Sequence, residues 1–138
     1  MSITIVIPTY NEAENLTKLI PELFALPLPD LNLLVVDDNS PDGTGQMVEG
    51  MAEDYPGKIR VHHRAGKLGF GTAYVEGYKI ALLAGADYIV QMDADFSHPP
   101  EKIMDLFELL KHGLDLAVGS RYIPGGAVDV KNRHPSAR

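Results

Sequence analysis

Tyr88-Ile89-Val90-Gln91-Met92 runs directly into Asp93-Ala94-Asp95. The first five residues have the length and apolar content of a short buried strand. Two carboxylates therefore leave the end of a strand one residue apart. Hard divalent cations take oxygen ligands, and Mg²⁺ is commonly held by one or two protein carboxylates together with substrate phosphates. Open α/β sheets bind ligands outside the carboxyl ends of their strands. Taken alone, Asp-x-Asp is more often a solvated turn, so its meaning depends on what else reaches the same place.

Working outward, four more short apolar runs occur: Ile3–Ile7, Leu31–Val36, Ile59–Val61 and Leu114–Val118. They are continuous rather than alternating, the pattern of strands buried on both faces. Helical spacing fills the gaps. Leu16, Leu19, Ile20, Leu23 and Phe24 predict one helix, with Asn11 and Glu14 spaced as a capping box. Met47, Val48, Met51 and Ala52 predict a second. Ala73, Gly77, Ile80, Ala81 and Ala84 predict a third. Ile103, Leu106, Phe107 and Leu110 predict a fourth, opened by Pro99-Pro100. The alternation predicts an α/β fold: a Rossmann-like, mostly parallel sheet with helices on both faces and right-handed crossovers. One domain spans residues 1–123, and residues 124–138 read as a loop or disordered tail.

The 138 residues suffice for a real core, and 45% are apolar, so the chain is globular. A net charge of −7 excludes a broad nucleic-acid footprint. The absence of cysteine excludes disulfides and thiolate metal sites and fits a reducing compartment. Residues 3–7 are too short for a signal-peptide core, and no apolar run approaches the roughly 20 residues of a membrane span. Any membrane contact is expected to be peripheral or through parts not present here.

In such a sheet the loops that follow the strands share one rim. The first, Pro8-Thr9-Tyr10-Asn11-Glu12, offers an aromatic for a base and a helix N-terminus. The second, Asp37-Asp38-Asn39-Ser40-Pro41-Asp42-Gly43-Thr44, offers carboxylates to a ribose or base edge, or is turn chemistry; composition fits both equally. The third runs from His62 to Thr72. Its glycines admit close backbone approach and Lys67 suits phosphate, although neither the P-loop nor the dinucleotide fingerprint is met. His62 and His63 are adjacent on a strand and so point to opposite faces, which argues against one shared metal. The fourth is Asp93-Ala94-Asp95 with Phe96-Ser97-His98. The fifth is Gly119-Ser120-Arg121-Tyr122, where Arg121 suits a diphosphate or a surface ion pair. Carboxylates, a guanidinium, an ammonium and an aromatic on one rim suit a metal-bound nucleotide diphosphate.

With these stretches the chain resembles the family 2 glycosyltransferases of GT-A fold, and within them the polyprenyl-phosphate (dolichyl-phosphate) mannosyltransferases. The matching segments are Ile7–Leu16, Val35–Thr44, Lys67–Tyr74, Met92–Pro100 and Gly119–Tyr122, in unbroken order. The Leu68-Gly69-Phe70-Gly71-Thr72-Ala73 and Ser97-His98-Pro99 stretches favour the mannosyl branch. The resemblance implies the nucleotide-binding half of that fold. It implies nucleotide contacts from Pro8, Tyr10 and Glu12, contacts around base and ribose from Val36 and Asp38, and a metal–diphosphate motif at Asp93, Ala94 and Asp95. Lys67 and Arg121 would face the phosphates, with Asp95 and Arg121 carrying the catalytic expectation. Ser97 stands where relatives often have a glutamine as a further metal ligand.

The implied reaction is inverting transfer of mannose from GDP-mannose to a polyprenyl phosphate, with Mg²⁺ or Mn²⁺, at the cytoplasmic face of a membrane. A phosphate acceptor, with a second pKa of about 6, needs little help from a general base. The missing base would matter for a hydroxyl acceptor. After Val128 the sequence departs from the family pattern, and the relatives' later half is expected to be absent. Sheet surface left uncovered would favour self-association as a homo-oligomer, or a partner. The 138 residues alone are expected to bind nucleotide weakly and transfer little sugar. The competing readings are a UDP-glucose-dependent glucosyltransferase acting on the same lipid, a non-catalytic nucleotide-binding subunit, and a response-regulator-like domain.

Overall fold

The apolar runs Ile3–Ile7 and Leu31–Val36 become the two central strands. Ile3–Thr9 (β1) and Leu31–Asp37 (β2) pair in parallel, from Ile3 opposite Leu31 to Thr9 opposite Asp37. Ile59–His63 (β3) flanks β2 and Tyr88–Gln91 (β4) flanks β1, giving a four-stranded parallel sheet in the order β3-β2-β1-β4. The structure is a computed structural model and describes residues 1–120. The expected tail at 124–138 therefore lies outside the described residues.

Helices cover both faces, as the alternation predicts. Ala13–Phe24 (α1), Thr44–Met51 (α2) and Lys102–Lys111 (α4) share one face with Ile3, Ile5, Ile7, Leu33 and Val35. Phe70–Leu83 (α3) covers the other, over Val6, Leu34 and Val36. Successive strand residues alternate between these two cores, so β1 is buried along its whole length. The edge strands β3 and β4 are only half-buried, which corrects the expectation of burial on both faces for every run. Ile59 and Val61 of β3 pack on the α1 side, whereas β4 sends Tyr88 and Val90 to that core and Ile89 to the other. Gly77 lets α3 lie directly on β1: a Cβ there would sit 2.3 Å from Val6 Cγ1.

Two further expectations fail for non-local reasons. The Leu114–Val118 run forms no strand; Leu114, Leu116 and Val118 are exposed and no described strand pairs with them. Apolar β-propensity without a ladder partner does not make a strand. The Asn11/Glu14 capping box is also absent, since α1 has no side-chain cap of its own. Its leading N–H groups are claimed by a neighbouring loop instead.

The chain runs β1 to β2 to β3 in one direction and then crosses to place β4 on the far side of β1. The strand order therefore reverses between β1 and β4, where open α/β sheets hold ligands. Pro8 explains why the crevice opens there. The β1–β4 register ends at Val6 opposite Gln91, with Met92 N–H donating to the Val6 carbonyl at 3.3 Å. The next rung would take its donor from residue 8, and proline has none. Beyond that point the loops after β1 and β4 part, while β1 and β2 stay paired through Thr9 and Asp37.

Candidate functional site

The loops after β1 and β2 are laced together. Ser40 Oγ accepts from Asn11 N–H at 3.0 Å, Thr44 Oγ1 from Glu12 N–H at 3.1 Å, and Asp42 Oδ2 from Ala13 N–H at 3.2 Å. Asn11 Oδ1 accepts from Asp42 N–H at 3.2 Å in return. These bonds replace the capping box and take the N–H groups of the N-cap residue Glu12 and of Ala13, the first residue of α1. Asp37 is buried beneath them, accepting from Thr9 Oγ1 at 2.8 Å, Ser40 Oγ at 2.6 Å and Ser40 N–H at 3.1 Å. The carboxylate of Asp42 has its pKa lowered: burial raises it, but bonds from Thr44 and the Ala13 N–H outweigh burial.

Asp38 is held in the same way, by a residue whose role the motifs did not indicate. Arg64 clamps it with two bonds, Nε to Oδ1 at 2.6 Å and Nη2 to Oδ2 at 2.8 Å, and both side chains are 3% exposed. The guanidinium also donates to Thr72 Oγ1 at 2.9 Å and to the Gly69 carbonyl at 3.1 Å. Its pKa is raised, chiefly by the bonds to Asp38. The register could have revealed the pair: His63 lies opposite Asp37, which puts the next residue of each strand side by side. The clamp fixes the turn before α3, where Gly69 holds a φ of +95° that other residues rarely adopt. Lys67 extends from this turn over the ring of Tyr10, 4.7 Å from its centroid. The paired histidines separate as predicted: His62 meets Glu76 of α3 at 3.1 Å and His63 meets Glu49 of α2 at 2.5 Å.

The loop after β4 is organised differently. Asp93 Oδ1 accepts from the buried hydroxyl of Tyr74 at 2.6 Å, and Asp93 N–H donates to His98 Nδ1 at 2.9 Å. Asp95 Oδ1 accepts from Ser97 N–H at 3.1 Å and from Ser97 Oγ at 2.5 Å. Each carboxylate thus has one oxygen fixed by the protein, while neither Oδ2 has a protein donor among the described residues. Phe96, between them and Ser97, has a φ of +62°, a strained conformation for an aromatic residue, and its ring packs against the core. Asn11 and Asn39, in the first two rim loops, also have positive φ. Among the described residues no three His, Asp or Glu side chains converge as a ready-made cage. Two half-open carboxylates fit a divalent cation whose remaining ligands are phosphate oxygens and water.

The nominated residues sort by burial. Tyr10, Glu12, Lys67, Asp93, Asp95 and Ser97 reach the rim surface wholly or in part. Pro8, Val36, Asp38 and Ala94 are buried: Pro8 ends a ladder, Val36 packs beneath α3, Asp38 is clamped and Ala94 joins the core under α4. Arg121 lies outside the described residues.

Residues 4–137 match the family described as "Glycosyl transferase family 2". The chain is 45% identical over 124 residues to a polyprenol monophosphomannose synthase of Mycolicibacterium smegmatis, covering 90% of this chain and 46% of that protein. It is 42% identical over 130 residues to a dolichol-phosphate mannosyltransferase of Pyrococcus furiosus, covering 94% of this chain and 36% of that one. It thus spans half or less of these curated relatives. Among solved structures, the mannosyltransferase PcManGT of Pyrobaculum calidifontis, in complex with GDP-Man and Mn²⁺, superposes with a TM-score of 0.62 at 28% identity, over 67% of this chain and 27% of that one.

Proposed function

Because the chain belongs to glycosyl transferase family 2, we propose that it binds GDP-mannose with a divalent cation, Mn²⁺ or Mg²⁺, and serves the inverting transfer of mannose to a polyprenyl phosphate. The observation that carries the reading is the half-open pair Asp93 and Asp95 beside the β1/β4 crevice. The mannosyltransferase relatives and the GDP-Man and Mn²⁺ complex of PcManGT support it.

Asp93 and Asp95 would hold the cation through their open oxygens. A cation bound there supplies charge neutralisation to a leaving diphosphate. Lys67 adds positive charge on the same rim, and Tyr10 beneath it offers a face to the base. Arg121 is proposed as a further phosphate partner. The acceptor phosphate is already ionised near neutrality, so no side chain has to take its proton. A lipid-linked acceptor places the reaction at a membrane surface, proposed to be the cytoplasmic face. No helix among the described residues is long and apolar enough to cross a membrane.

The test is calorimetry of the chain with GDP and with UDP, each with Mn²⁺ or with EDTA. GDP is expected to bind more tightly than UDP, to need Mn²⁺, and to lose that metal dependence in Asp95→Ala. Tighter binding of UDP would replace the mannosyl reading with the glucosyl one. Binding indifferent to both Mn²⁺ and Asp95 would sink the metal–diphosphate site.

A further inference from the structure

We infer that Tyr74 is the positioning residue for Asp93: its hydroxyl, delivered by α3 rather than by the rim loop, fixes Oδ1 and leaves Oδ2 to the cation. The inference rests on the metal role proposed above for Asp93. Tyr74 is 8% exposed and its hydroxyl lies 2.6 Å from Asp93 Oδ1. A phenylalanine would fill the same apolar volume against Val6, Val36 and Ala73, so packing alone does not call for the hydroxyl. A buried O–H costs free energy unless it is bonded, and its one bond goes to this carboxylate.

The hydroxyl's place is set by the core. One turn along α3, Gly77 seats the helix on Val6 of β1 with no room for a Cβ. The Tyr74 ring also stacks on Tyr78, with centroids 6.1 Å apart, and the Tyr78 hydroxyl bonds Gln91 Oε1. Helix α3 therefore grips the end of β4 at Gln91 and again at Asp93, two residues on. Carboxylates that bind metals are commonly oriented by such outer hydrogen bonds, and losing one weakens metal affinity about 10- to 100-fold. Asp95 is oriented from within its own loop by Ser97. Only Asp93 is tied to a distant helix, which gives the strained loop a fixed point outside itself.

The experiment measures Mn²⁺ affinity by electron paramagnetic resonance of free Mn²⁺, in the presence of GDP, for the 138-residue chain and its Tyr74→Phe, Tyr78→Phe and Asp95→Ala variants. Melting temperatures are taken in EDTA. Tyr74→Phe is expected to weaken Mn²⁺ binding about 10-fold, with the metal-free melting temperature close to that of the parent. Tyr78→Phe is expected to leave Mn²⁺ affinity unchanged, and Asp95→Ala to abolish binding. Unchanged affinity in Tyr74→Phe while Asp95→Ala abolishes it would overturn the inference and leave the function standing. Equal weakening in Tyr78→Phe, or a metal-free melting temperature that collapses in Tyr74→Phe, would also overturn it by assigning the effect to helix docking. Failure of the parent chain to bind Mn²⁺ with GDP would remove both.

Discussion

Two acidic loops leave the strand ends on either side of β1, after β2 and after β4, and they use their carboxylates in opposite ways. After β2, Asp37, Asp38 and Asp42 are consumed by the fold: by Thr9 and Ser40, by Arg64, and by Thr44 and the start of α1. After β4, Asp93 and Asp95 each have one oxygen fixed and one open. Composition does not separate these loops; hydrogen-bond accounting does. A carboxylate with all its directions satisfied is architecture. A carboxylate held by one oxygen and open at the other is oriented for an external cation.

The comparison breaks most visibly at Asp38. Asp38→Ala would leave the buried Arg64 guanidinium without its two-bond partner and with the longer 3.5 Å contact to the half-exposed Glu76, and losing half of a buried pair costs about 3–5 kcal/mol. Urea denaturation is expected to show a midpoint collapse, or no folded baseline at all. Replacing Asp38 and Arg64 together by apolar residues of similar volume should recover much of that loss, because no unpaired charge remains. If Asp38→Ala melted like the parent, the two loops would not differ as described.

Asp95→Ala sharpens the contrast from the other side. Asp95 is partly exposed and its partner Ser97 can turn to water, so the stability change should stay within about 1 kcal/mol. The metal-dependent part of GDP binding should nevertheless vanish. A large stability loss without a binding defect would place Asp95 with the β2 carboxylates. Between these extremes lies Gly77→Ala. Its Cβ would meet Val6 at 2.3 Å, so α3 must shift, at a cost of about 1–3 kcal/mol by denaturation. Because α3 carries Tyr74, Mn²⁺ affinity should fall along with stability.

What could be read from the chain divides along the same line. Elements set by local pattern were readable: the continuous runs of β1 and β2, and the spacing of Leu16, Leu19, Ile20 and Leu23, which are all buried. The rim position of Asp93 and Asp95 followed from strand order and motif. What stayed hidden was non-local. The Asn11/Glu14 spacing is a good capping box, yet the N–H groups of Asn11, Glu12 and Ala13 go to Ser40, Thr44 and Asp42, about thirty positions away in sequence. Leu114–Val118 has strand composition but no ladder partner among the described residues. Arg64 belongs to no motif, and only the β2–β3 register reveals what it faces. Tyr74 enters the sequence reading only as the end of the family segment Lys67–Tyr74, because helical spacing encodes its ring and not its hydroxyl.

The smallest effect is expected at Asp42, where the β2 loop caps α1 from outside. Asp42→Ala removes acceptors from Ala13 N–H and from Thr44, and losing a helix cap costs about 1 kcal/mol at neutral pH. The pH dependence gives the assignment its own signature. The carboxyl's folded pKa lies below its ordinary value of 3.8, because the bonds from Thr44 and Ala13 outweigh the opposing effect of burial. A carboxyl with a depressed folded pKa contributes its full stability above the unfolded pKa and loses it as pH falls through the folded one. The stability gap between parent and Asp42→Ala should therefore be constant near neutrality and close only below about pH 4. Chemical denaturation at pH 7, 5 and 3 measures that gap. A gap that did not close in acid would mean that Asp42 acts on the loop through its backbone, and the ionised carboxylate would no longer count among those the fold consumes.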